Sequence, residues 1–220
     1  MFKPLAFAAA VLAATPSFAD VSIKFVSKDA ADPVLTTSVT TDYATGALNY
    51  LNAATGSFQA YCIEPAQPFA ISAKGFKTYS VGSFTGTQAS LLQGLYSSSF
   101  GSVHTGNQQA AFQLAVWEIV SETSGTPLKI ATGADQGSFY LASTDGAANA
   151  VQALATHYLS AAQSYSGPSL YSLTKLSNAS YQDLVVATTV TAAVPEPETY
   201  ALFLSGLGFV GLLARRRLPR

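Results

Sequence analysis

The chain has a single cysteine, Cys62, in the run Tyr61-Cys62-Ile63-Glu64-Pro65, and downstream a glutamine, Gln113, in Phe112-Gln113-Leu114-Ala115-Val116-Trp117-Glu118-Ile119. Exported proteins usually pair their cysteines, so a lone one calls for an explanation. Thiolate sulfur is a strong nucleophile toward acyl groups. If the Cys62 sulfur joins the Gln113 side-chain carbonyl and ammonia leaves, the product is an internal thioester. Sulfur gives a carbonyl little resonance and departs easily, so this bond is a far better acyl donor than an amide. Forming it needs the thiol held against one carboxamide, an exit for ammonia, and a site that water enters poorly. The alternatives are plainer: Cys62 as an inert buried thiol, Gln113 as a satisfied core amide, and Trp117 as ordinary packing.

Several elements must position this pair. Residues 57–63 alternate, which predicts a strand with Cys62 near its end, facing away from Tyr61 and Ile63. Glu64 and Pro65 end that strand, Glu64 as a cap or as an aid in aligning the cysteine. Residues 107–120 predict a helix with Gln113 in its middle and Val116 and Trp117 on the same side. An amide on that apolar face must find a partner, and Cys62 is a candidate. Further strands are expected at 21–26, 35–43, 48–52, 76–84 and 183–192, and further helices at 87–96 and 147–164, the last capped by Asp145. Strands first, helices in the middle and a strand last predict an α+β domain whose ends meet in one sheet.

A strand reading aromatic-Cys-hydrophobic-acid, followed by a helix with Gln-x-Ala-hydrophobic-Trp, resembles the thioester (TQXA) domain of bacterial surface adhesins. The resemblance maps the cross-link onto Cys62 and Gln113, with Ala115 and Trp117 in support beside Tyr61 and Glu64. It implies a β-sandwich or barrel-like fold with an inserted helical part. It also implies a single covalent reaction with an amine on a surface protein or matrix polysaccharide, which is not enzymatic turnover and needs no cofactor. Phe112 stands where that family often has Thr.

Other chemistry is thinner. His104, in the 101–106 loop before the glutamine helix, is a candidate for proton transfer and would make Cys62 a thiol hydrolase. His157 reads as a boundary residue of the third helix. One cysteine and two histidines are too few for a zinc site. An isopeptide between Lys24 and Asn178 or Asp183 would tie the first strand to the last.

The two ends read as addresses. Residues 1–19 have a lysine start, an apolar run and a Ser-Phe-Ala cleavage site, a secretory signal. The tail, 193–220, opens with Val194-Pro195-Glu196-Pro197-Glu198. About sixteen apolar or small residues follow, a helix of roughly 24 Å, and then Arg215-Arg216-Arg217. This order resembles the PEP-CTERM sorting signal. It implies a membrane-held tail, processing by an exosortase near Pro195–Pro197, and the envelope of a Gram-negative bacterium.

Residues 20–192 are left as the thioester domain. Residues 20–194 hold six lysines, no arginine and ten acidic residues, a charge of 6 − 10 = −4. Nucleic-acid binding is excluded by the lack of any basic face for phosphates. A structural protein of the extracellular matrix, without thioester discharge, fits the same composition.

Overall fold

The computed structural model describes residues 20–122, 128–134, 136–191 and 202–207. The leader expected at 1–19 and most of the tail expected at 193–220 lie outside them. The chain divides into two compact units, Met1–Thr189 and Val190–Arg220. In the second, residues 202–207 are helical. Among the described residues no helix is long and apolar enough to cross a membrane.

The first unit contains β1 (Val21–Lys28), β2 (Val34–Leu35), β3 (Tyr43–Ala44), β4 (Leu48–Asn52), β5 (Gly56–Cys62) and β6 (Lys77–Gly82). Then come α1 (Gly86–Ser99), α2 (Gly106–Ser121) and α3 (Gly146–Ser164), and last β7 (Tyr171–Ser177) and β8 (Leu184–Thr189). Six strands close into a barrel in the order β1-β4-β5-β8-β7-β6, each neighbouring pair antiparallel. β2 and β3 form a separate two-stranded ribbon. The helices are inserted between β6 and β7. This is the expected α+β barrel-like architecture.

Hydrophobic alternation builds the barrel and then fails where a second layer covers it. Along β1 only Ile23 and Phe25 are buried, and they face the interior. At the end of β5, Ala60, Tyr61 and Cys62 are all buried, because α2 lies against the outer face there. A strand covered on both sides has no polar face to keep. The Tyr61 ring packs outward among Tyr96 of α1, Phe112 of α2 and Phe100.

α2 is buried without interruption from Gln109 to Ile119, as suits an apolar helix packed against α1, α3 and β5. Its start is fixed by a capping box. The Thr105 hydroxyl accepts from the Gln108 N–H, and the Gln108 side chain accepts from the Thr105 N–H. α1 and α3 approach closely at Gly94, where a Cβ would meet the Ala162 carbonyl oxygen at 2.5 Å.

Three expectations need correction. Residues 35–43 are not one strand: their ends pair as part of β2 and β3, and between them Thr37 makes only an isolated bridge to Leu141. The Thr37 hydroxyl accepts from the N–H groups of Val39 and Thr40, and such local bonds compete with a ladder. A strand not foreseen, β7, lies between α3 and β8. Finally, β1 and β8 share the barrel but two strands separate them either way round. Lys24 sits opposite Leu51, Asp183 pairs with Lys175 at 3.2 Å, and the Asn178 amide donates to the Thr78 carbonyl. The expected Lys24 cross-link has no support in this arrangement.

Candidate functional site

The end of β5 and the middle of α2 bring Cys62 and Gln113 together. The Gln113 Oε1 accepts from the Cys62 N–H at 2.9 Å, and its Nε2 donates to the Cys62 carbonyl at 2.8 Å. The carboxamide thus lies flat against the main chain of the one residue whose thiol could attack it. Each residue is only 1% exposed, so water is largely kept from the pair. Cys62 is a free thiol.

Burial pushes that thiol up to about 12, against the pull of the Glu64 N–H, the Trp117 indole N–H and the Lys28 charge. At neutral pH it is protonated. A hydrolytic cysteine needs the reverse, a thiolate favoured by its surroundings. Trp117 follows Gln113 by one turn, and its ring is fully buried, edge-on to Tyr43 and Phe139. Among the described residues its indole nitrogen has no hydrogen-bond partner.

The remaining sequence-selected residues fall in different places. Ala115 is fully buried, about 200° around the helix from Gln113, so it serves packing and not contact. Tyr61 belongs to the aromatic layer on the other face of β5. Half-buried Glu64 lines a cavity of about 260 Å³ with Lys175 and Asp183. His104 is exposed, with its N–H on the Gln108 side chain. It lies nine residues before Gln113, about 13 Å along the helix direction, and the fold does not bring it to the pair. Among the described residues no cluster of side chains could hold a metal ion.

Sequence reading missed Lys28, Gln109 and Asp32. A bulge between Phe25 and Ser27 shifts the β1 register, so Phe25 faces Tyr50 and Lys28 faces Leu48. Directly opposed residues share a face, and Tyr50 and Leu48 are both interior. The bulge therefore turns Lys28 toward the interior. Its Nζ donates to the Ala44 carbonyl at 2.8 Å and lies 3.3 Å from the centre of the Tyr43 ring. Burial lowers it to about 8, opposed by Cys62 and Asp32.

Gln109, one turn before Gln113, accepts from the Ala47 N–H and donates to Asp29. Asp32 is 7% exposed, and neither carboxylate oxygen has a hydrogen-bond partner among the described residues. Burial first, and then Asp29, raise it to about 7. A one-residue bulge leaves no mark in the sequence, and that is why Lys28 was not foreseen.

The PEP-CTERM protein-sorting motif matches residues 193–217. It is the mark of an exported protein sorted to the cell envelope, with exosortase-type processing. No curated protein is similar to the chain in sequence. Among solved structures, the N-terminal domain of the Streptococcus pyogenes pilus tip adhesin Cpa has a TM-score of 0.50 and 15% identity, covering 81% of this chain and 97% of that one. The N-terminal thioester domain of fibronectin-binding protein SfbI from Streptococcus pyogenes gives 0.49 and 12%, covering 84% and 100%. The N-terminal thioester domain of a surface protein from Clostridium perfringens gives 0.44 and 14%, covering 78% and 100%. The likeness to the Cpa domain is one of fold: a barrel with inserted helices, in a chain that ends in a sorting motif.

Proposed function

We propose that this is an exported envelope protein in which Cys62 and Gln113 close into an internal thioester that reacts once with an amine. The domain would run over residues 20–192, between a secretory signal at 1–19 and a sorting tail at 193–220 that is held in the inner membrane of a Gram-negative cell before processing. An amine on a surface protein or matrix polysaccharide attacks the Gln113 carbonyl carbon. Cys62 leaves as a thiol, and an amide links the two surfaces. One discharge per molecule makes this a covalent adhesive, without turnover.

The observation that carries the reading is the Gln113 carboxamide laid on Cys62 inside a buried layer. Intact-mass measurement tests it. The protein is expected to be lighter than its sequence by one ammonia, and Cys62→Ala or Gln113→Ala to restore the full mass. Methylamine is expected to add to the wild type and to release a thiol that can be labelled. Full mass in the wild type would refute the reading.

One observation favours a second reading. Both polar atoms of the Gln113 amide are satisfied by hydrogen bonds, as a purely structural core amide requires. On that reading the protein is a component of the extracellular matrix with an inert thiol. The hydrolase alternative is not favoured, because the thiol is held protonated and His104 is remote from it.

A further inference from the structure

Cys62 and Gln113 are each 1% exposed, so an amine reaches the Gln113 carbonyl only if something moves. Tyr43 spans the two elements that carry the pair. Its ring meets Trp117 edge-on at 5.8 Å, one turn beyond Gln113 on α2. Its hydroxyl donates to the Gln182 Oε1 at 3.4 Å, two residues before Leu184, the β8 partner of Cys62. Tyr43 is carried by β3, in the short ribbon that leaves the barrel between β1 and β4.

That ribbon is built differently from the barrel wall. Two residue pairs make its ladder, Val34 with Ala44 and Leu35 with Tyr43, and Val34 and Val39 leave apolar side chains in solvent. Main-chain bonds join Thr36 and Ser38 to Tyr140, Ala142 and Ser143. At the root of the ribbon the Asp32 carboxylate is seated on Gly46, where a Cβ would collide with it. Neither Asp32 oxygen has a hydrogen-bond partner among the described residues, a cost to the closed arrangement that water would relieve on opening. The barrel wall reaches the Tyr43 end through Lys28 of β1. Its Nζ donates to the Ala44 carbonyl at 2.8 Å and stands 3.3 Å from the centre of the Tyr43 ring. One ammonium thus holds both the backbone and a ring of β3.

We propose that the β2–β3 ribbon is a cover over the Cys62–Gln113 pair, that Lys28 is its clasp, and that an amine reaches Gln113 when the Tyr43 end lifts. The purpose of the cover rests on the thioester reading, but the covering itself is tested apart from it. A two-pair ladder closed over an unpartnered carboxylate opens at a smaller cost than the barrel's paired strands. Opening of this kind admits the nucleophile and water alike. The clasp therefore sets both how fast the bond is used and how long it survives.

The test uses the full-length chain at neutral pH, with methylamine addition followed by intact mass. Lys28→Met is expected to add methylamine about tenfold faster than wild type, and to lose the bond to water faster. Lys28→Arg, which keeps a cation and donors over the ring, is expected to stay near the wild-type rate. Gln113→Ala supplies a second readout free of the thioester, the labelling of Cys62 by a small disulfide reagent. Adding Lys28→Met to it is expected to speed labelling about tenfold. Losing the Lys28 charge alone would slow it, because that charge favours the thiolate.

Hydrogen exchange locates the opening. The Thr37 and Thr45 N–H groups, bonded to the Thr40 and Pro33 carbonyls, are expected to exchange faster than those of β5, and faster again in Lys28→Met. Wild-type rates of addition and labelling in Lys28→Met would overturn the inference and leave the thioester standing. A rise in exchange shared equally by β5 would mean general loosening and overturn it as well. Equal protection of Thr37, Thr45 and β5 in the wild type would do the same even if no variant folds. Full mass in the wild type would remove the thioester, and Cys62 labelling would then decide the cover alone. Faster labelling in Lys28→Met supports it, and an unchanged rate overturns it.

Discussion

Gln109 and Gln113 lie one turn apart on the same stripe of α2, and both spend their amides on residues at the ends of barrel strands. Gln109 divides its bonds between the Ala47 N–H and the Asp29 carboxylate. Gln113 gives both of its bonds to Cys62. As hydrogen-bonding groups they are equivalent, each pinning the helix to the strands. The difference is the neighbour. One amide rests against an acidic loop, the other against the only thiol of the chain. What sets Gln113 apart is that juxtaposition and not the glutamine itself, since as hydrogen-bonded amides the two look alike.

The sharpest way to break the comparison is Gln113→Ala. It leaves the Cys62 N–H and C=O unpaired in a buried position, at about 1–3 kcal/mol for each group. Urea unfolding is expected to register a loss near the sum, and intact mass the complete loss of the ammonia deficit. Gln109→Ala removes a bond of the same kind at a site without a thiol. A loss of about 1–2 kcal/mol is expected, with the deficit retained. If the deficit disappears there too, the two glutamines act as one positioning unit.

Cys62→Ser keeps the main-chain bonds to Gln113 and exchanges only the sulfur. Stability is expected to fall by about 1 kcal/mol or less, with no thioester formed. The smallest effect concerns pH. Asp32 and Glu118 are each raised to about 7, chiefly by burial. Both hold a proton in the fold that the unfolded chain gives up near its ordinary value of about 4. Stability is therefore greatest below that value and declines as pH climbs to about 7. Asp32→Asn is expected to flatten part of the decline in thermal melts without touching the deficit.

How much of this was legible in the sequence follows from what each pattern encodes. The Gln113 helix and the Cys62 strand were readable because apolar spacing and the Glu64-Pro65 stop are local signals. Their meeting was readable only through the likeness of the paired motifs. β7 went unread because Ser172, Thr174, Lys175 and Ser177 dilute its apolar residues, and Tyr171 and Leu173 are only half-buried even in the closed barrel. The 35–43 segment misled in the opposite way, since threonines that favour strands also turn their hydroxyls onto the local backbone. Lys28 was hidden by a register shift that only the partner strand defines.

β8 begins with Leu184 beside Cys62 and ends at Thr189. Five residues of extended chain separate those two points, about 17 Å. Anything tethered beyond Thr189 is therefore fastened to the rim of the barrel away from the candidate bond. Tension between a partner captured on Gln113 and such a tether would run lengthwise along β8. Its ladders to β7 and β5 would then be loaded in shear, with many hydrogen bonds resisting together instead of opening one by one.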